Sequence, residues 1–325
     1  SERHLAAYII IDRRAAMQLT SEKAIKTLRQ EVENEWKSLW KKTHEVSERD
    51  NLPGFVGWNS SFTGQPIPLS QMNDWLNHTI ERIKSLKPRR VLEVGCGVGL
   101  VLQHIAPLCE KYMGTDLSVN AIEQLQRWTT RQENMRHVKL LHCSAIELNQ
   151  IQAESFDTIV MNSVVQYFPD VEYLLEVLQE SIRIIGDNGR IFIGDVRHLE
   201  LLRVFHSAIQ LQKATDTVNI GTLRKRIEKA ILQEKELLID PQFFPALLHR
   251  LSGISAVEVQ LKRGCDANEL TSYRYDVILH VGGCVKATEV YKSQDWSSIG
   301  TIKKLDEMLK ERHNSAIHIV GIPNA

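Results

Sequence analysis

Residues 91–99 read Val-Leu-Glu-Val-Gly-Cys-Gly-Val-Gly, an apolar run that breaks into three alternating glycines. This pattern fits a strand that turns sharply into a helix. Gly95, Gly97 and Gly99 lack side chains, so backbone N–H groups can approach a ligand closely at a helix start. Asp116 stands about one strand later, at the end of a second short strand, where a carboxylate suits a ribose diol. A dinucleotide fingerprint would carry its third glycine one residue later, and here an acid, Glu93, lies inside the first strand. The chain is thereby constrained to an α/β fold that binds a nucleoside, and the spacing argues against a dinucleotide.

The remaining pattern extends that fold. Strands are expected at Val91–Val94, Tyr112–Asp116, Val138–Cys143 and Phe156–Asn162, with helices near Val101–Cys109 and Ala121–Thr129 between them. A helix over Val171–Ile185, a Gly-Asp-Asn-Gly turn at 186–189 and a strand at Arg190–Gly194 follow. Alternation of this kind predicts a parallel sheet with helices on both faces. Residues 199–235 read as largely helical, and strands at Ala256–Lys262 and Tyr273–Val281 follow.

Upstream, Leu5–Ile11 is a short β-like run and 20–48 has helical spacing with Trp36 and Trp40, a helical lid for the core. Residues 51–68 are dense in Gly, Pro, Asn and Ser and predict an ordered loop. Ser70 or Asn73 can cap the helix carrying Trp75–Leu86, which ends before Pro88. Near the end, a helix at Ile302–Arg312 and a short strand at Ala316–Ile322 are expected.

Bulk properties exclude several classes. A chain of 325 residues, 43% hydrophobic, can bury a sizeable core. Forty basic residues balance forty acidic ones without a basic stripe, so no nucleic-acid partner is expected. No apolar run reaches the roughly 20 residues of a membrane span, and the start has no signal-peptide pattern. The five cysteines are odd in number and form no Cys-x-x-Cys pair, so reduced thiols and a cytoplasmic location are expected. No histidine or acidic residues cluster at coordinating spacing, so no metal is implied.

Four stretches carry a family resemblance: Gly-Trp-Asn-Ser-Ser-Phe-Thr-Gly-Gln-Pro-Ile-Pro at 57–68, Asn-Ser-Val-Val-Gln-Tyr-Phe-Pro at 162–169, Gly-Asp-Val-Arg at 194–197 and Asn-Glu-Leu-Thr at 268–271. From about Gly57 to Val281 the chain resembles the methyltransferase domains of nonribosomal peptide synthetases. Related O-methyltransferase domains of polyketide synthases share much of this signature, so the acceptor atom stays open. The flanks, Arg3–Ile11 and the terminal Ile-Pro-Asn-Ala, resemble the late part of an adenylation domain and the point where it resumes. They suggest an insertion in an interrupted adenylation domain.

The resemblance implies a Rossmann-like, seven-stranded class I methyltransferase sheet. The expected division is a flank and helical lid over 1–56, a core over 57–285 with inserted helices at 199–250, and a flank over 286–325 leading back to the adenylation domain. The implied cofactor is S-adenosylmethionine, with S-adenosylhomocysteine as product. Glu93, Gly95, Cys96, Gly97 and Gly99 would surround its methionine half, with Asp116 and Leu117 at the ribose. Ser144 and Ala145 would meet adenine, while Asn162, with Ser163 beside it, offers a carbonyl to the methionine ammonium.

For the acceptor, the resemblance implies Gln166, Tyr167, Arg197, Asn268 and Tyr273, with Trp58 and Phe62 in a lid. Asp195 and Arg197 could instead form a solvated local salt bridge. His206, partnered by Glu269, is the expected general base should a hydroxyl be the acceptor. The expected reaction methylates the amine nitrogen of an aminoacyl group tethered to a phosphopantetheinyl carrier protein. The alternatives are O-methylation of a tethered hydroxyl, phenol or enol, and an inactive scaffold insertion. Expected partners are that carrier protein and the adjoining adenylation-domain parts. Arg224, Lys225 and Arg226 could meet an acidic carrier or form a solvated face. The chain departs from the family at Cys265, Asp266 and Ala267, which replace a more basic and aromatic run, and at His198, where a small polar residue is usual.

Overall fold

The computed structural model describes residues 22–46, 54–55, 57–283, 293–311 and 317–323. The β-like run at Leu5–Ile11 lies outside them. By contacts the chain divides into two units, Ser1–Gly283 and Cys284–Ala325.

In the first unit, helices α1 (Glu22–Val46) and α2 (Leu69–Ser85) precede a series of strands and helices. The series runs β1 (Arg90–Val94), α3 (Leu102–Ile105), β2 (Lys111–Asp116), α4 (Val119–Thr130), β3 (Val138–His142), β4 (Phe156–Asn162), α5 (Val171–Ile184) and β5 (Ile185–His198). Two inserted helices follow, α6 (Leu202–Gln212) and α7 (Ile220–Leu232). Then come β6 (Leu238–Ile239), α8 (Phe243–Arg250), β7 (Ile254–Leu261), α9 (Glu269–Ser272) and β8 (Arg274–Val281).

Local chemistry sets these boundaries. Ser118, Asp170 and Asn219 each accept a hydrogen bond from the backbone N–H three residues on, capping α4, α5 and α7. Neither Ser70 nor Asn73 caps α2. Pro68 occupies the N-cap position, and its fixed φ lets the helix start at Leu69, earlier than apolar spacing suggests. The turn expected at 186–189 falls within β5. Asn188 at φ 63° bends the strand there, and its pairing with β4 shifts register between Phe156 and Thr158.

The sheet order is β3-β2-β1-β4-β5-β8-β7. Strands β1 to β5 run parallel, and β8 lies antiparallel between β5 and β7. These seven strands are the expected ones. An eighth, β6, pairs with the end of β5 at Arg197 and His198. Chain direction away from β1 reverses between β2 and β4, and such a switch point opens a crevice at the carboxyl ends of the strands.

Both faces are packed. Leu92, Val94, Ile159 and Ile193 point into a core with α5 and α8, and Val91, Val160 and Phe192 into one with α2 and α3. Trp75 of α2, 1% exposed, anchors the second core.

In the second unit, β9 (Ser293–Asp295) leads into α10 (Trp296–Ile299) and α11 (Ile302–Glu311). Strand β10 (His318–Val320) pairs with β9 in parallel.

Candidate active site

The glycine turn follows β1 directly. Gly95 and Cys96 donate their N–H groups to the Thr115 carbonyl at 2.8 and 2.9 Å, tying the turn to β2. Gly97 sits at φ 49°, and a Cβ built on it meets no atom within 4 Å, so its face is open. The Gly97 N–H donates to Asp116 Oδ2 at 2.8 Å, and Ser118 N–H to Oδ1 at 2.7 Å. Asp116 thus orients the glycine turn as well as facing the crevice.

The crevice is a cleft of about 1170 Å³, measured out to open solvent. Glu93, Gly95, Cys96, Gly97, Asp116 and Leu117 line it. Ser144, Ala145, Asn162 and Ser163 line it as well, so the ends of β1 to β4 converge on the cleft. Gly99 does not line it. It sits at φ 85° with a built Cβ 2.5 Å from Leu125 Cδ2, and so lets α4 approach the turn.

Two buried groups give the cleft its polarity. Asn162 Oδ1 is buried with no hydrogen-bond partner, and an unpaired buried acceptor is costly unless a ligand donates to it. Burial pushes the Glu93 carboxyl up to about 8, although the Tyr112 hydroxyl donates to it and opposes the rise, and Asp116 adds repulsion. Acceptors of this kind suit a cationic ligand with an ammonium group and a ribose. The residues present therefore fit S-adenosylmethionine.

Helix α1 forms a further wall, with Glu33 and Trp36 in the lining. Arg29 binds Asp170 through two nitrogens, at 2.8 and 2.9 Å, and the Tyr173 hydroxyl donates to Glu33 at 2.6 Å. The Trp36 ring lies 4.6 Å from that of Tyr167.

A second cavity of about 670 Å³, also measured to solvent, shares Trp58 and Tyr167 with the first. Arg197, Phe205, Glu236, Glu269, Tyr273 and Arg274 line it as well. Arg197 donates to Glu236 at 2.6 Å and to Glu234 at 3.1 Å, with its guanidinium over the Phe205 ring. Glu269 accepts from the Ser61 N–H at 2.8 Å, the Ser61 hydroxyl at 2.9 Å and the Ser60 hydroxyl at 3.2 Å.

Several expected placements change. His206 meets Glu234 at 3.3 Å rather than Glu269, and it lines neither cavity. Residues 60 and 61 occupy Glu269, because the 57–68 loop folds over α9 before α6 can reach it. Gln166 is 1% exposed and outside both cavities, its backbone carbonyl accepting from Leu237 N–H. Phe62 packs edge-on against Phe205 and lines neither cavity. Asn268 caps α9 and donates to Gln71 Oε1 at 3.1 Å, a structural role. His198, the other departure, packs its ring on Tyr275.

Asp195 forms no solvated pair with Arg197. It is fully buried at φ 70°, and Trp75 Nε1 at 3.1 Å, the Ser163 hydroxyl at 3.0 Å and Arg274 donate to it. Lys262 stands 3.4 Å away. Trp75, Glu33, Glu236 and Arg274 are lining residues that sequence reasoning missed, while Trp36 belongs to the helix expected as a lid. Only the helical spacing of 20–48 and 75–86 hinted at any of them, because they approach the site from distant elements. Among the described residues, Asp74, His78 and Cys265, of which Cys265 is far from the other two in sequence, come together.

Residues 92–191 match the family model described as "Methyltransferase domain". The chain is 38% identical over 297 residues, 89% of its length, to chondramide synthase of Chondromyces crocatus. It is 42% identical over 250 residues, 77% of its length, to a probable non-canonical nonribosomal peptide synthetase of Salinispora arenicola. With the beauvericin nonribosomal cyclodepsipeptide synthetase of Beauveria bassiana it shares 33% identity over 263 residues, 79% of its length. The chain spans only 8%, 3% and 8% of these relatives' own lengths. No helix among the described residues is long and apolar enough to cross a membrane. The glycine turn, the strand-end cleft and these matches together identify a class I S-adenosylmethionine-dependent methyltransferase domain, similar to segments of these nonribosomal peptide synthetases.

Proposed function

We propose that this domain methylates the amine nitrogen of an aminoacyl group held as a thioester on a carrier protein. The carrying observation is the second cavity: it borders the cofactor cleft at Trp58 and Tyr167, is lined by the carboxylates Glu236 and Glu269, and does not include His206 in its lining. An amine needs only to arrive neutral with its lone pair aimed at the methyl, and carboxylates can accept its N–H groups. A hydroxyl would need a base at hand as the bond forms, and the imidazole expected for that task is paired with Glu234 outside the cavity.

Bound in the first cleft, S-adenosylmethionine supplies an electrophilic methyl on a sulfonium. The chain's own residues align and shield. In this reading Asn162 Oδ1 accepts from the ammonium, Asp116 holds the ribose, and Ser144 and Ala145 flank the adenine. Trp58 and Tyr167 form the passage between cavities and exclude water, while Arg197, Tyr273 and Glu269 bound the acceptor. Helix α1 acts as the lid. The relatives are synthetases many times longer than this chain, which supports a tethered acceptor, a carrier-protein partner and flanking adenylation-domain parts.

The test is mass spectrometry of carrier proteins loaded with amino-acyl or hydroxy-acyl groups, after incubation with the domain and S-adenosylmethionine. Methyl gain on nitrogen is expected; gain only on oxygen refutes the reading. His206→Ala is expected to lower turnover by less than about tenfold, whereas a fall of about 10²-fold or more would restore it as a base.

Glu93 adds a pH dependence. With its carboxyl pushed up to about 8, the free protein holds that proton at neutral pH, and a bound cation favours its release. Affinity for S-adenosylmethionine is expected to rise as pH approaches 8, by at most about tenfold per pH unit for one proton released. Calorimetry in buffers of different ionisation heat checks the release, and Glu93→Gln should abolish it.

A further inference from the structure

The loop between β7 and α9 leaves a thiol beside two ligand-type side chains of α2, away from both cavities. Asp74 and His78 are four residues apart on α2, so they share one face. The Cys265 N–H donates to Asp74 Oδ2 at 2.9 Å, and His78 Nε2 lies 3.4 Å from Asp74 Oδ1. One donor atom from each of the three side chains lies within 4.8 Å of the others. Gly264 lets the loop come this close, since a Cβ there would stand 3.0 Å from Asp74 Oδ2.

We propose that Asp74, His78 and Cys265 form a binding site for a thiophilic divalent cation, zinc, which pins the 262–268 loop to α2. A thiolate, an imidazole and a carboxylate are the donors zinc takes, whereas magnesium and calcium take oxygen alone. Bonds of about 2.0–2.3 Å around a tetrahedral zinc put ligand atoms roughly 3.5 Å apart, within a small movement of the exposed Cys265 side chain. Glu81 Oε2 lies 3.5 Å from His78 Nδ1, near enough for a small movement to make it the carboxylate to which a metal-bound histidine gives its other N–H. Nδ1 is buried and makes no hydrogen bond. Three protein ligands leave the fourth position for water.

The site has a structural reach. The pinned loop runs into Asn268, which caps α9, and α9 presents Glu269 to the acceptor cavity.

The test titrates the full chain, stripped with chelator, first with cobalt(II) and then with zinc(II). One equivalent of cobalt with a thiolate-to-cobalt charge-transfer band, displaced by zinc, is expected. Cys265→Ser should remove the band, His78→Ala should weaken binding at least about tenfold, and Glu81→Gln should weaken it about 10–100-fold. Zinc should raise the melting temperature of the wild-type chain and not of Cys265→Ser. Cys265 is exposed, so that variant is expected to fold, and its unfolding in chelator checks this. Absence of stoichiometric binding, or a thiolate band surviving in Cys265→Ser, overturns the proposal.

Discussion

Asp195→Ala is expected to destabilise the domain by about 3–5 kcal/mol, the cost of leaving buried cations without their partner. Asp195 is fully buried against Arg274 and Lys262, and Trp75 and Ser163 donate to it. Its own N–H donates to Asp276 Oδ1 at 2.9 Å, and Asp276 in turn pairs with Arg82 and Lys262. Removing the Asp195 carboxylate therefore leaves Arg274 without its ion-pair partner and Lys262 with Asp276 alone, in a site that packing keeps from hydrating. Unfolding in denaturant measures the loss, and an unchanged midpoint would show that the network carries no stability.

The same residue predicts a pH dependence. Burial pushes the Asp195 carboxyl up, but Arg274 and Lys262, with hydrogen bonds from Trp75 and Arg274, more than offset this and hold it below its ordinary value. A depressed carboxyl stabilises the fold fully above its unfolded value, and the contribution is lost as pH falls through the folded one. The wild-type chain should therefore lose stability on acidification below the usual carboxylate range, and Asp195→Ala should lose less.

Gly95→Ala is expected to cost about 2–5 kcal/mol and to abolish cofactor binding. The left-handed φ of 73° adds about 1–2 kcal/mol for any side chain. A Cβ would also lie 2.0 Å from Val164 Cγ2, an overlap that adds about 1–3 kcal/mol through overpacking. Because Val164 lines the cleft beside Asn162 and Ser163, relief by movement would distort the ligand wall. Gly97→Ala separates the two effects: it has the positive φ but no collision, so it should fold and still bind the cofactor weakly. Calorimetric unfolding and S-adenosylmethionine titration of the two variants check the contrast, and equal behaviour would contradict it.

Much of the cofactor half is legible in the residue pattern. Glu93 to Gly97, Asp116, Ser144 and Asn162 all stand at or just beyond the ends of short strands, and strand ends in a parallel sheet converge on one crevice. The acceptor half is less so. Tyr167, Tyr273 and Arg197, expected at the acceptor, and Glu269, expected as the partner of His206, line the second cavity, but Gln166 and Phe62 are packed elsewhere, Asn268 is a cap, and His206 turns to Glu234. Nothing in the spacing could pair residues 28 or 209 positions apart, as in His206 with Glu234 or Ser60 with Glu269.

By itself, the sequence determined the order of strands and helices, the glycine turn and the acid that faces it. These depend on periodicity and on conformations only glycine adopts readily, which act over a few residues. Only the tertiary structure decided which side chains enclose the second cavity, which residues of α1 reach the first, that Asp195 is buried among cations, and that Cys265 meets Asp74 and His78. Those contacts join segments tens to about 200 positions apart, and their geometry follows from how loops and inserted helices pack on the sheet, which no local pattern encodes.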